Sequence, residues 1–199
     1  MARTRAQDFE EKQRGILDKA AAVFAEQGME KASMSQIAAH AQVSKALLYH
    51  YYPSKDALIF SIIAGHLEEV DAATEAADDA SLPPETRLRH LVGAVLESYR
   101  GADNQHKVQL NASSALSEEQ RAGITALERR IVKRFSRVIA AINPALTDAR
   151  RPLLTPVTMS VFGMMNWMYM WFRDGGAISR ADYADLVTTL TLEGIKALR

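Results

Sequence analysis

The 199-residue sequence predicts an all-α protein: a three-helix head with a helix-turn-helix, followed by a larger helical body, about nine helices in all. Three observations carry this. Apolar residues recur at three- and four-residue spacing along most of the chain, serine-led caps stand where helices should begin, and no stretch shows the strict alternation of a half-buried strand. Ile16, Leu17, Ala20, Ala21 and Phe24 give a first helix of about four or five turns, stopped by Gly28. Ser33-Met34-Ser35-Gln36 has the form of a capping box opening a short second helix to about His40. Ser44 caps a short third one through about Tyr51, and Pro53-Ser54 opens a longer fourth from Lys55 toward Thr74. The acidic, doubly prolyl stretch from Asp78 to Pro84 reads as a loop. Helices follow at about 85–99, 104–116, 118–142, 153–173 and 180–198, the last led by the capping-box-like Ser179-Arg180-Ala181-Asp182.

Composition removes whole classes of function. Without cysteine there is no disulfide framework, thiolate metal site or cysteine nucleophile, and the cytoplasm is the expected location. The basic start of the chain is followed by polar residues, which predicts no signal peptide. The five histidines show no metal-ligand spacing, no serine sits in a nucleophile elbow, and Gly175-Gly176 reads as a helix-ending turn, so neither an enzyme nor a metal or other cofactor is expected. Net charge is zero, but as a sum of blocks: slightly basic to Lys55, strongly acidic from Asp56 to Glu128, strongly basic from Arg129 to Arg151. Nucleic-acid contact is thereby confined to the ends of the chain or the late basic block. Pro152 to Phe172 carries no charge and is long enough to span a bilayer, but Thr155, Pro156, Thr158, Ser160, Gly163 and Asn166 make it too polar, and no membrane partner is expected.

The chemistry is concentrated between Ser33 and Lys55. Two short helices separated by Ala41-Gln42-Val43 have the spacing of a helix-turn-helix, whose second helix enters the major groove. Ser44 leaves amides that can meet a phosphate, Lys45 is a base-reaching cation, Ala46 is small and Leu47 can touch a thymine methyl. Tyr49 and His50 follow one turn later, where phosphate oxygens lie. Leu48, Tyr51 and Tyr52 fall on the inward face with Ile37 and Phe24.

From Arg14 to Ile62 the chain resembles the N-terminal domain of the TetR family of transcriptional regulators, through Ile16-Leu17, Ala20, Phe24, Gly28-Met29, Ser33-Met34, Ile37-Ala38, Val43-Ser44-Lys45, Leu48 to Tyr52 and Ser54-Lys55-Asp56-Ala57-Leu58. The resemblance implies a homodimer with a DNA-binding head (1–55) and a ligand-binding, dimerising body (56–199). It implies that Ser33, Tyr49, His50 and Lys55 hold phosphates while Ser35, Lys45, Ala46 and Leu47 face base edges. Two departures stand out. Gln42 occupies the place of a common turn glycine, and Leu47 a place where small or hydroxyl residues are common.

In the body, Asn166 to Arg173 with Gly175-Gly176 is similar to the penultimate helix of members that respond to fatty-acyl or aromatic acyl-CoA thioesters. Helical period places Phe162, Asn166 and Tyr169 on one side, expected to line a pocket, and Gly163, Trp167 and Met170 on an adjacent one, expected at a dimer interface with Leu186, Leu190 and Gly194 of the last helix. The competing reading is that all of these are simply core and interface. Arg129, Lys133 and Arg137 form one stripe with Arg130 and Arg134 beside it. These cations either pair with acids such as Glu68, Glu69, Asp71 and Glu97 or receive the phosphates of a CoA-like effector. The expected function is a repressor that binds a pseudo-palindromic operator in double-stranded DNA as a homodimer and is released by a hydrophobic small molecule, with a CoA thioester as the specific candidate. The alternative is a DNA-bound adaptor or architectural protein of the same fold without an effector.

Overall fold

A computed structural model of the protein describes residues 2–112 and 116–198. Among the described residues all regular structure is helical: α1 Ala2–Gln27, α2 Met34–His40, α3 Lys45–Tyr51, α4 Lys55–Ala77, α5 Pro84–Ser98, α6 Asp103–Asn111, α7 Glu118–Ile142, α8 Leu154–Asn166 and α9 Arg180–Ala197, with 3₁₀ turns at Pro144–Thr147 and Trp167–Met170. The chain forms two compact units, one reaching Leu67 and including Gly101–Thr125, the other made of Glu68–Arg100 and the chain from Ala126 onward. This differs from the division expected between residues 55 and 56. Lys55 and Asp56 are consecutive residues of α4, so no linker falls there, and α6 packs on α1.

In the first unit α1 packs against α2 and α6, and α2 against α3. Ile16, Ala20, Phe24, Ile37, Leu48, Leu58, Ile59 and Ile62 are among its buried residues. At 26 residues α1 is longer than the expected four or five turns. Its first half, ARTRAQDFEEKQR, consists mostly of good helix formers but has no apolar repeat, so periodicity could not reveal it. Gly28, at φ 84, ends the helix in the left-handed conformation that glycine adopts without penalty. The sixth helix is shorter than the expected 104–116 and ends at Asn111; residues 113–115 of that span lie outside the described residues. Gln105 donates to Asp18 of α1 at 2.8 Å.

The same unit buries two imidazoles, His66 of α4 and His106 of α6, edge to face with ring centroids 6.0 Å apart. Burial, reinforced by the neighbouring His106, pushes the pKa of His66 down to about 4.

In the second unit α5 packs chiefly on α9, and α8 on α9 and α5. Leu88, Leu91, Val92, Val95 and Leu96 of α5 meet a core shared with Phe135, Val138 and Ile139 of α7 and Val161, Phe162 and Met165 of α8; the Phe135 and Phe162 rings lie 4.8 Å apart. Its buried threonines in α9 are satisfied within their own helix. Thr188 and Thr191 donate to the carbonyls of Ala184 and Val187, each at 2.7 Å. Asn143 donates to the Ile195 and Leu198 carbonyls at 2.9 and 3.0 Å, closing the end of α9. The Ser179–Asp182 capping box forms as its spacing predicts.

One helix differs from expectation. The span expected as a single helix from 153 to 173 is α8 to Asn166, then a 3₁₀ turn. Trp167, Tyr169, Trp171 and Phe172 are weak helix formers. The tighter turn keeps Met168 and Phe172 buried while Asn166 is held sideways, its Oδ1 accepting from the Tyr99 hydroxyl at 2.8 Å. Among the described residues no helix is long and apolar enough to cross a membrane.

The histidine pair gives a pH dependence of definite sign. His66 stays neutral in the folded protein down to about pH 4, whereas in the unfolded chain it binds a proton below its ordinary value of 6.5. Stability contributed by the neutral residue is therefore present above pH 6.5 and declines as pH falls toward 4, by on the order of 2–3 kcal/mol. Urea midpoints measured from pH 7 to pH 4.5 should fall, and His66→Phe should flatten that fall.

Candidate functional site

The segment from Ser33 to Lys55 builds a surface from short elements with defined ends. Ser33 caps α2: its hydroxyl accepts from the Gln36 amide at 3.3 Å, and the Gln36 side chain accepts from the Ser33 amide at 2.9 Å. The chain then turns at Ala41-Gln42-Val43. The Ala41 amide donates to Ile37 O at 2.8 Å and the Val43 amide to Ala38 O at 3.0 Å, while Gln42 stands at φ 55. The turn geometry that usually falls to glycine is thus carried by a side-chain-bearing residue. Ser44 next caps α3, accepting from the Leu47 amide at 3.1 Å.

Helical period divides α3 into two faces. Leu48 is fully buried, with Tyr52 buried just beyond the helix end, and Tyr51 is half-buried with its ring 5.2 Å from that of Phe9. Turned away from these, Ala46, Tyr49 and His50 are exposed and Leu47 is half-buried, and Lys45, the first residue of the helix, is exposed as well. The Lys45 ammonium lies 5.8 Å from the centre of the Tyr49 ring. Ser33, Ser35, Lys45, Tyr49 and Lys55 meet in one open groove of about 600 Å³ whose rim also carries Lys31; Ala46, Leu47 and His50 lie outside it, along α3. Lysine ammoniums, hydroxyls and one aromatic face are the set a phosphate backbone and exposed base edges require.

Lys55 is placed differently from the expected phosphate holder. Its ammonium donates to the carbonyls of Met29, Glu30 and Ala32 at 2.7, 3.2 and 3.3 Å. Residue types could not reveal this, because the partners are backbone oxygens of a loop.

In the second unit Arg134 is also occupied. It is buried, and its guanidinium donates to Asp71 Oδ1 and to Thr74 Oγ1, each at 2.9 Å; Arg130 donates to the other Asp71 oxygen at 2.8 Å. Burial opposes the charge on Asp71, but the hydrogen bonds from Arg134 and Arg130 outweigh it and hold its carboxyl below the usual range. Removing Arg134 from this pair would leave a buried carboxylate without compensation. Arg134 therefore leaves the set expected to meet an effector, while Arg129, Lys133 and Arg137 remain exposed on one stripe of α7, Arg137 reaching Asp78 only at 3.9 Å.

The two sides of the segment from α8 into the 3₁₀ turn differ in exposure. Phe162 is buried, Asn166 and Tyr169 are half-buried, and Gly163, Trp167 and Met170 are exposed. Leu186, Leu190 and Gly194 are exposed along one line of α9. Trp167 at 60% and Leu190 at 56% are the most exposed large apolar residues among those described. The partner of Asn166, Tyr99, lies 67 residues away, and sequence carried no signal for it.

Residues 16–62 match the model of bacterial regulatory proteins of the tetR family, and residues 81–195 match the tetracyclin repressor-like C-terminal domain. The chain belongs to the TetR family. A TetR-family transcriptional regulator from Bordetella parapertussis 12822 is 32% identical, with a TM-score of 0.84 over 94% of this chain and 97% of that one. AibR, whose structure is in complex with isovaleryl coenzyme A and operator DNA, is 26% identical with a TM-score of 0.76, over 90% of this chain and 97% of its own. The transcriptional repressor KstR of Mycolicibacterium smegmatis is 36% identical over 83 residues, a match spanning 42% of this chain and 41% of that protein. As a TetR-family member the protein is a DNA-binding transcriptional regulator and not an enzyme.

Substitutions at two positions test the head. Gln42→Gly relieves the left-handed strain and should leave stability unchanged or raise it by up to about 1 kcal/mol, while the β-branched Gln42→Val should lower it by about 1–2 kcal/mol in thermal unfolding. Lys45→Ala should change base preference at one position of a selected duplex by about 1–3 kcal/mol, read by competition binding against single-base variants.

Proposed function

We propose that the protein is a ligand-responsive repressor that binds a pseudo-palindromic operator as a homodimer and leaves it when a hydrophobic effector, an acyl-CoA thioester, binds the body. The observation that carries the DNA part is the exposed face of α3, with Lys45, Ala46, Tyr49 and His50 turned outward over a buried Leu48 and continuous with the lysine-lined groove. Lys45, Ala46, Leu47 and Ser35 read base edges; Ser33, Ser44, Tyr49 and His50 hold phosphates. One such helix per subunit calls for two half-sites about 34–36 Å apart.

The exposed apolar stripe supports the dimer. Met159, Gly163, Trp167 and Met170 on one segment and Leu186, Leu190 and Gly194 on another form a surface of the kind that symmetric helical dimers bury, with glycines permitting close backbone approach. Phe162, Asn166 and Tyr169 face the effector. Arg129, Lys133 and Arg137 receive its phosphates, and the complex of AibR with isovaleryl coenzyme A supports the thioester class. Release follows if the effector binds more tightly to the state with low operator affinity.

A labelled operator complex titrated with acyl-CoA thioesters, the free acids and unrelated hydrophobes tests the reading, with the mass of each species followed by sedimentation. Thioesters should release the duplex at the lowest concentration, the triple substitution of Arg129, Lys133 and Arg137 by Ala should raise that concentration at least tenfold, and Trp167→Glu with Leu190→Glu should yield monomers that bind the operator weakly. Release by free acids alone removes the CoA class, release by nothing leaves the DNA-bound adaptor, and a monomeric wild type removes the dimer.

A further inference from the structure

We infer that Lys55 is a positioning residue for DNA binding: its ammonium fixes the loop between α1 and α2, and through it Ser33, and touches no phosphate itself. The inference rests on the reading of α2 and α3 as the DNA interface and deepens it.

A lysine ammonium has three protons and no acceptor. Those of Lys55 face the carbonyls of Met29, Glu30 and Ala32, which belong to a loop outside any helix or strand, where such oxygens need donors. Lys55 is also the first residue of α4. A cation at a helix N-terminus is opposed by the helix dipole, so the charge is not placed there for the benefit of α4. Its stabilisation comes from the loop.

The Ala32 carbonyl is the decisive partner. It belongs to the same planar peptide unit as the Ser33 amide. Lys55 Nζ holds the oxygen of that unit at 3.3 Å, and Gln36 Oε1 holds its N–H at 2.9 Å. One rigid plane is gripped from both edges, and the direction in which the Ser33 side chain leaves the backbone is set by that plane. Ala32 itself is buried, so the plane cannot swing outward without exposing it. A phosphate that recruited Lys55 would have to displace a carbonyl from the ammonium and release this grip.

Salt dependence separates positioning from contact. Each phosphate neutralised by a lysine contributes about 0.9 to the slope of log K against log salt on B-DNA, whereas a residue that acts through a neutral hydroxyl contributes none. Full-length wild type, Lys55→Met, Lys55→Arg, Lys45→Met, Ser33→Ala and Lys55→Met with Ser33→Ala would be titrated with a duplex selected by the wild type from a random pool, over a salt series well below each unfolding temperature, and amide exchange followed at residues 29–33. Lys55→Met should weaken binding about tenfold with an unchanged slope and faster exchange at residues 29–33, Lys55→Arg should restore most of the affinity, and Lys55→Met should add little once Ser33 is Ala. Lys45→Met should lower the slope by about one counterion. A slope lowered by Lys55→Met, with exchange unchanged, makes Lys55 a phosphate contact and overturns the inference. Unchanged affinity, or effects of Lys55→Met and Ser33→Ala that add in full, reduces Lys55 to a structural tie and overturns it equally. Failure of the wild type to select any duplex would instead remove the DNA reading beneath it.

Discussion

Four residues, Ala41 to Ser44, must carry the chain from the end of α2 to the start of α3, and the left-handed backbone at Gln42 is what lets them do so. With φ at 55 the chain doubles back tightly enough for the Val43 amide to reach Ala38 O, and Ser44 arrives in the extended conformation that caps the next helix. Leu48 then falls into the space beside Ile37, and both are fully buried. Once Leu48 points inward, the 3.6-residue period turns Ala46, Tyr49 and His50 away from the core, and Lys45, at the first position of the helix, stands exposed at its start. The chemistry of the exposed face thus follows from a backbone torsion three residues before the helix begins.

The helical architecture was legible because its signals are local. Capping boxes at Ser33 and Ser179 join residues three apart, and the buried stripe of α1 repeats every turn. What stayed hidden depended on partners distant in sequence or on backbone atoms. The carbonyls around Lys55 have no residue type to recognise, and Tyr99 gives no hint that it will bind Asn166. The first half of α1 is helical without an apolar repeat, so no periodicity marks it in the sequence. Conversely, the aromatic run after Asn166 continued the apolar pattern while the backbone tightened into a 3₁₀ turn, because pattern reports burial more faithfully than torsion. Of the interface expected in the head, the exposed positions of α3 could be read from the helical period, whereas the role of Lys55 could not.

Arginine 134 shows why charge blocks are poor guides to binding. The run from Arg129 to Arg137 looks uniformly basic in sequence, yet its members have different fates according to their angular position on α7. Arg134 turns inward, where Asp71 and Thr74 hold it; Arg129, Lys133 and Arg137, on a different face, remain in solvent. A helical wheel distinguishes them only once the buried face is known, and Ile131, Phe135 and Val138 mark that face.

Both tryptophans of the chain, Trp167 and Trp171, lie within one turn of each other beside the exposed apolar stripe, Trp171 edge-on to Tyr183 at 4.9 Å. The first unit contains none. Intrinsic tryptophan emission therefore views one small neighbourhood of the second unit: it will register anything that covers, dries or rearranges that surface. The protein carries a built-in optical label that belongs wholly to its second unit.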